Sequence, residues 1–146
     1  MDYFNISLPE REINKIPMLA LAHIGDGVFE LMVRSRLILE GKTRVNDLHR
    51  ACVKIVAATS QAKRMERLLP HLTEEELAVF RRGRNAKVNS VPHAASVREY
   101  HEATGLEALF GALYLRGEKA RLDELFSIAM EEQNENNEPA SLEADL

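Results

Sequence analysis

The chain carries a single cysteine, Cys52, among its 146 residues, so no intrachain disulfide can form. That cysteine sits in the apolar run ACVKIVAA at 51–58, and both facts point to a reducing, cytoplasmic setting. No stretch reads as a signal peptide, because the first apolar run lies behind the acidic, proline-containing start Met1–Arg11. A membrane span is excluded in the same way: charge interrupts every apolar run well short of the length a bilayer requires. Runs of alternating or β-branched residues bounded by turns are missing too, while apolar residues recur at helical spacing throughout, so the expected class is all-α. No internal repeat is visible. No pair of histidines or cysteines has the spacing of a zinc site.

What is there suffices for one folded unit. With 45% hydrophobic residues, a chain of this size can bury a core without disulfides or a structural metal. The net charge of −4 is unevenly spread. The segment EEQNENNEPASLEADL at 131–146 holds six acids and no base, which predicts a folded body over 1–130 and an acidic disordered tail over 131–146. Without that tail 19 bases face 17 acids, a body charge of +2. Between Glu76 and Glu99 there is no acid, yet Arg81, Arg82, Arg84, Lys87 and Arg98 all fall there. Gly83, Asn85, Asn89, Ser90 and Pro92 are turn formers, so a mobile basic loop is expected over 82–95, suited to contact with an anionic partner.

The helix boundaries follow from start and stop residues. A long helix is expected from Pro17 to Glu40, ending at Gly41. A second, capped by Asn46, should break around Ala58–Ser60 and continue to Leu69. Thr73 with Glu76 reads as a capping box opening the helix that leads into the basic segment. Ser96 with Glu99 and Thr104 with Glu107 repeat the pattern, giving one helix or a kinked pair over 97–115, and a last helix spans 118–130.

Two acids stand where apolar residues belong. Within LALAHIGDGVFELMV at 19–33, Asp26 has Ala22, Phe29 and Val33 as its same-face neighbours and is expected to point into the core. Within TGLEALFGALYL at 104–115, Glu107 shares a face with Ala103, Phe110, Gly111 and Tyr114. Unpaired buried carboxylates cost several kcal/mol and normally have a partner or a metal. Glycines beside each acid lower helix propensity by roughly 1 kcal/mol apiece and permit close packing. Two such helices packed together would build an oxygen-ligand site for a hard cation. Other readings stand beside this one: Glu107 as the end of a capping box with Thr104, Asp26 as the ion-pair partner of Arg116, Glu30 as a further ligand or a plain surface acid, and His23 as a half-exposed histidine.

These residues carry a family resemblance. HIGDGVFEL at 23–31 is similar to the signature of the ribonuclease III family, a Gly-Asp pair on an apolar helix. REYHEATGLEALFGALYL at 98–115 is similar to its second motif, with Arg98-Glu99, then Glu-Ala-Leu at 107–109, then Gly-Ala and an apolar run. The motifs occur in family order, with Asp26 and Glu107 81 residues apart, and the resemblance spans about residues 15–130. It implies a ribonuclease III-type helical bundle that hydrolyses double-stranded RNA with Mg2+ as a homodimer, two active centres sharing one groove. It places Asp26 and Glu107 as catalytic, magnesium-binding carboxylates, the metal activating water and stabilising charge at the phosphate. Two other family carboxylates are absent, their positions taken by Ala22 and Thr104.

No space for a separate double-stranded-RNA-binding domain is expected after the body, and the RGRNAK stretch at 82–87 resembles the short Mini-III branch of the family, associated with maturing large-subunit (23S) ribosomal RNA precursors. RNA grip is then expected from Arg82, Arg84, Asn85, Lys87 and Arg98. A ribosomal protein or pre-ribosome is a candidate further partner. The competing expectations are a ribonuclease III fold that binds RNA without cutting it, which Ala22 and Thr104 favour, and a helical phosphohydrolase of small nucleotides, which the absence of a His-Asp pair disfavours.

Overall fold

The computed structural model describes residues 1–87 and 96–135. Every regular element among them is helical: α1 (Glu10–Ile13), α2 (Met18–Leu39), α3 (Val45–Val56), α4 (Ala58–Leu68), a 3-10 turn (Leu69–His71), α5 (Glu74–Arg84), α6 (Val97–Arg116) and α7 (Lys119–Glu135). The all-α expectation holds. Among the described residues no helix is long and apolar enough to cross a membrane.

Helix α6 is the axis of the bundle. From Ala103 to Leu113 every residue but Glu107 is buried, as befits a helix apolar on nearly all sides. The other long helices α2, α4, α5 and α7 pack against it. A Ser96–Glu99 capping box opens it, and Gly117, in left-handed conformation at φ 80°, closes it. It is one continuous helix. Thr104 lies in its interior, its hydroxyl donating to the Tyr100 carbonyl at 2.9 Å, so Thr104 and Glu107 form no capping box. The residue pattern of a cap and of a helix interior coincide here, and burial decides between them.

Two pairs of helices approach backbone to backbone. A Cβ on Gly25 of α2 would land on the Glu107 carbonyl of α6, and one on Gly111 would land on the Leu21 carbonyl of α2. These reciprocal contacts run α2 and α6 antiparallel at backbone contact, with the Ile24 side chain at the edge of the crossing. Gly83 meets α6 similarly, its would-be Cβ lying 2.7 Å from the Ala108 Cβ and 3.0 Å from the Gly105 Cα. Gly83 is therefore a packing residue inside α5, and the helix runs on through Arg84, two residues past the expected start of the basic loop. Of that loop, Asn85–Lys87 are described and 88–95 lie outside the described residues.

The α3–α4 break falls at Ala57, in extended conformation. Side chains of α4 satisfy carbonyls left open at the end of α3: Gln61 donates to Val56 O at 3.0 Å and Arg64 to Ile55 O at 2.8 Å. Asn46 is not the cap expected of it, because α3 begins one residue earlier, after Arg44, without a side-chain cap. The Thr73–Glu76 capping box forms as expected. Arg121 of α7 adds to it two hydrogen bonds donated to the Glu76 carboxylate at 2.8 and 2.7 Å and a third donated to the His71 carbonyl at 2.7 Å. In the core, Phe29 meets Phe110 and Phe126 edge-on at 5.5 and 5.7 Å, each pair adding about 0.5–1.5 kcal/mol beyond its buried area. Helix α7 extends to Glu135, five residues into the acidic segment, and 136–146 lie outside the described residues.

Candidate active site

The Gly25–Gly111 crossing decides where the two acids go. Asp26 is the residue after Gly25, and Glu107 is the residue whose carbonyl Gly25 touches, so backbone contact brings the two residues together, and the charge of Asp26 is felt at Glu107. The buried stripe of α2 is Leu21, Ala22, Gly25, Phe29, Val33 and Leu37. Asp26 stands about 100° around the helix from Gly25 and is exposed at the edge of the seam. The expectation that it points into the core is corrected: glycine occupies the core position so that the helices can touch, and the acid borders the contact. Glu107 is half-buried on the apolar face expected for it.

No described residue gives either carboxylate a hydrogen bond or ion pair. Partial desolvation where its side chain borders the seam raises the Asp26 carboxyl above the usual range, the charge of Glu30 adds to this, and His23 opposes it. Burial and, second, the negative charge of Asp26 push the Glu107 carboxyl up to about 8. Two unpaired acids, one of them resisting ionisation beside the charge of the other, form a donor set that a hard divalent cation would complete. Arg116, an alternative partner for Asp26, pairs with Glu10 at 2.7 Å instead. Glu30 is held by Arg34 at 2.8 Å and accepts from the Cys52 thiol at 3.7 Å. His23 is exposed, and the described residues contain no group of three or more histidines, cysteines and acids placed to hold a metal. Ala22 and Thr104 are only 5% and 6% exposed; they wall the seam from beneath.

The cationic residues divide into two sets. Arg82, Asn85 and Lys87 are exposed at the end of α5, and Arg84 lies over the Phe80 ring, 5.6 Å from its centre, donating to Asn85 Oδ1 at 3.3 Å. Arg98 is exposed as well, but it pairs with Glu102 at 3.0 Å and Glu66 at 3.8 Å, so its charge is already balanced. A surface that the sequence reading passed over is an apolar groove of about 470 Å³ between α2, α7 and the N-terminal arm, lined by Phe4, Ile24, Gly27, Leu31 and Tyr114 among others. Ile24, Leu31 and Ile38 recur every seven residues on α2, 36%, 52% and 55% exposed. A second apolar stripe on a helix whose first stripe is buried is the signal that could have revealed it.

An α-helical body with two unpaired carboxylates at a glycine-mediated helix crossing, beside a cationic helix end, is suited to metal-assisted work on an anionic substrate. Comparison with known proteins places it. The ribonuclease III domain pattern matches residues 19–118, a span that includes both acids. Mini-ribonuclease 3 of Symbiobacterium thermophilum is 49% identical over 114 residues, covering 78% of this chain and 88% of that protein. Mini-ribonuclease 3 of Enterococcus faecalis is 40% identical over 130 residues, covering 88% and 98%. A crystal structure of a Fusobacterium nucleatum protein matches with a TM-score of 0.75 at 29% identity, covering 84% of this chain and 98% of that one. The chain belongs to the ribonuclease III family and is an endoribonuclease.

Proposed function

We propose that this endoribonuclease cuts double-stranded RNA with Mg2+, acting as a cytoplasmic homodimer, and that its substrate is the precursor of large-subunit (23S) ribosomal RNA. The observation that carries the reading is the pair Asp26 and Glu107, unpaired and adjacent on two helices of a ribonuclease III domain. The relatives named Mini-ribonuclease 3 support an enzyme of this kind.

The chain's own groups divide the work. Asp26, on the solvent side of the seam, and Glu107, behind it, are the residues that would hold the cation, with Glu107 binding it as the deprotonated carboxylate. The chemistry such an ion would supply there is activation of water and stabilisation of charge at the phosphate. Arg82, Arg84, Asn85 and Lys87 hold the backbone of the duplex, which calls for recognition of A-form shape and phosphates more than of base edges. Arg98, engaged by Glu102 and Glu66, contributes less. The apolar groove and the stripe Ile24–Leu31–Ile38 are surfaces that a second copy would bury, bringing two carboxylate pairs onto one duplex. A ribosomal protein or pre-ribosome presenting the precursor is compatible with this division of labour.

Purified protein with Mg2+ should cut both strands of a paired stem of the large-subunit precursor, and leave a single-stranded RNA of the same sequence intact. Equal cutting of the two would contradict duplex recognition. Binding of the stem without cutting, under any divalent ion, would favour a non-catalytic RNA-binding module, the reading that Ala22 and Thr104 support. In solution the mass should be twice the 16.5 kDa of one chain, and a monomer at micromolar concentration would rule out the shared groove.

A further inference from the structure

We propose that His23 is an RNA contact, its imidazole donating a hydrogen bond to the phosphate next to the one that is cut. The inference rests on the placing of Asp26 at the cut and adds a substrate contact outside the carboxylate pair.

The need for such a contact follows from the charges around the seam. RNA brings one negative charge with every nucleotide, and the seam meets it with two acids. No arginine or lysine charge is felt at Asp26 or at Glu107, so the basic residues at the end of α5 grip the duplex at a distance from the cut. The phosphate that is cut would be answered by a cation at the carboxylates. Its neighbours along the strand meet α2, where from Met18 to Gly27 the only polar side chains are His23 and Asp26.

His23 is placed to answer them. It is exposed and stands three residues before Asp26 on α2, so the two side chains are neighbours on the helix surface, about 5–6 Å apart at their Cβ atoms. That spacing is comparable with the interval between successive phosphates of one strand. His23 lies about 60° around the helix from Asp26, on the side toward the apolar groove but outside its lining. Its imidazole makes no hydrogen bond or ion pair among the described residues, though its charge is felt at Asp26. The ring is therefore open to a ligand. Imidazole donates an N–H whether neutral or charged, so the contact does not depend on its titration.

The test is single-turnover cleavage of a short RNA duplex, with Mg2+ and with protein in excess, by the parent, His23→Ala and His23→Gln. His23→Ala should raise the protein concentration at half-maximal rate roughly tenfold, the worth of one hydrogen bond to a charged group. The maximal rate should change little, because the contact is made before and during the reaction alike. Glutamine keeps an N–H donor and should restore most of the loss. The same gap should appear in duplex affinity by fluorescence anisotropy, a readout that holds whether or not the duplex is cut. Once the cut is mapped, a neutral methylphosphonate linkage is placed in turn at the phosphate on either side of it. At one of the two positions the parent should fall to the level of His23→Ala and the difference between them should vanish. Parent-like half-saturation and affinity in His23→Ala, or a difference that persists with both modified duplexes, would overturn the inference. So would a change in the mass of His23→Ala in solution, which would place His23 at an interface between copies. Failure here is separable from failure of the proposed function: cutting that needs Mg2+ and Asp26 but ignores His23 loses this contact alone.

Discussion

Glu107 keeps its proton at neutral pH because burial and the neighbouring Asp26 charge hold its carboxyl near 8. A carboxyl whose folded pKa lies above its unfolded value destabilises the fold as pH rises. Between about 4.5 and 8 the folded chain retains a proton that the unfolded chain has released, so metal-free stability falls across that window. Glu107→Gln removes this liability. In chelator at pH 8 the variant should melt above the parent by about 4 °C or more, the shift that roughly 1 kcal/mol gives a domain of this size, and at pH 4.5 the difference should vanish. A melting temperature below the parent's at pH 8 would show that Glu107 ionises into a favourable partner. Both acids were legible in the sequence because a charge in an apolar stripe is conspicuous. The direction of Asp26 was not legible: helical spacing alone cannot tell that glycine, one residue earlier, has taken the core position.

At the level of elements, the Glu76–Arg121 pair joins the start of α5 to α7. Glu76 is 5% exposed and accepts two hydrogen bonds from the Arg121 guanidinium, and those bonds, with the Thr73 backbone bond and the arginine charge behind them, hold the Glu76 carboxyl below the usual range against the cost of burial. Arg121→Ala leaves that carboxylate buried and unpaired, at a cost of about 3–5 kcal/mol in denaturant unfolding. A group with a lowered folded pKa stabilises the fold above its unfolded value and loses that contribution as pH falls, so the gap between variant and parent should close in acid below about 4.5. A loss under 1 kcal/mol at neutral pH would mean that water replaces the arginine. The Thr73 capping box could be read in the sequence because both partners are local. Arg121 could not, since the contact joins residues 45 positions apart. The continuity of α6 through Thr104 was hidden for a similar reason: the segment is held helical by the four helices around it, and none of those contacts is local.

For the whole molecule, the uneven charge matters more than the net −4. Arg82 and Lys87 stand exposed without an acidic partner among the described residues, whereas Arg98 is paired. Lys87→Ala should weaken duplex binding and reduce the slope of log affinity against log salt by about one, while Arg98→Ala should change it little. Equal effects would place Arg98 in the footprint and show that its ion pairs open on binding. The grouping of bases was plain from the sequence. That Arg98 is paired was partly legible, since Glu102 follows it by one helical turn, whereas Glu66 is brought to it only by the packing of α4 on α6.

If Asp26 and Glu107 hold the divalent metal with which the enzyme cuts paired RNA, incubation of a long, perfectly paired RNA with the parent protein and with Asp26→Asn, each with and without Mg2+, separates the four cases. Defined double-strand cuts are expected from the parent with Mg2+ alone, and none from Asp26→Asn under either condition. Undiminished cutting by Asp26→Asn, or cutting by the parent in chelator, would contradict that assignment.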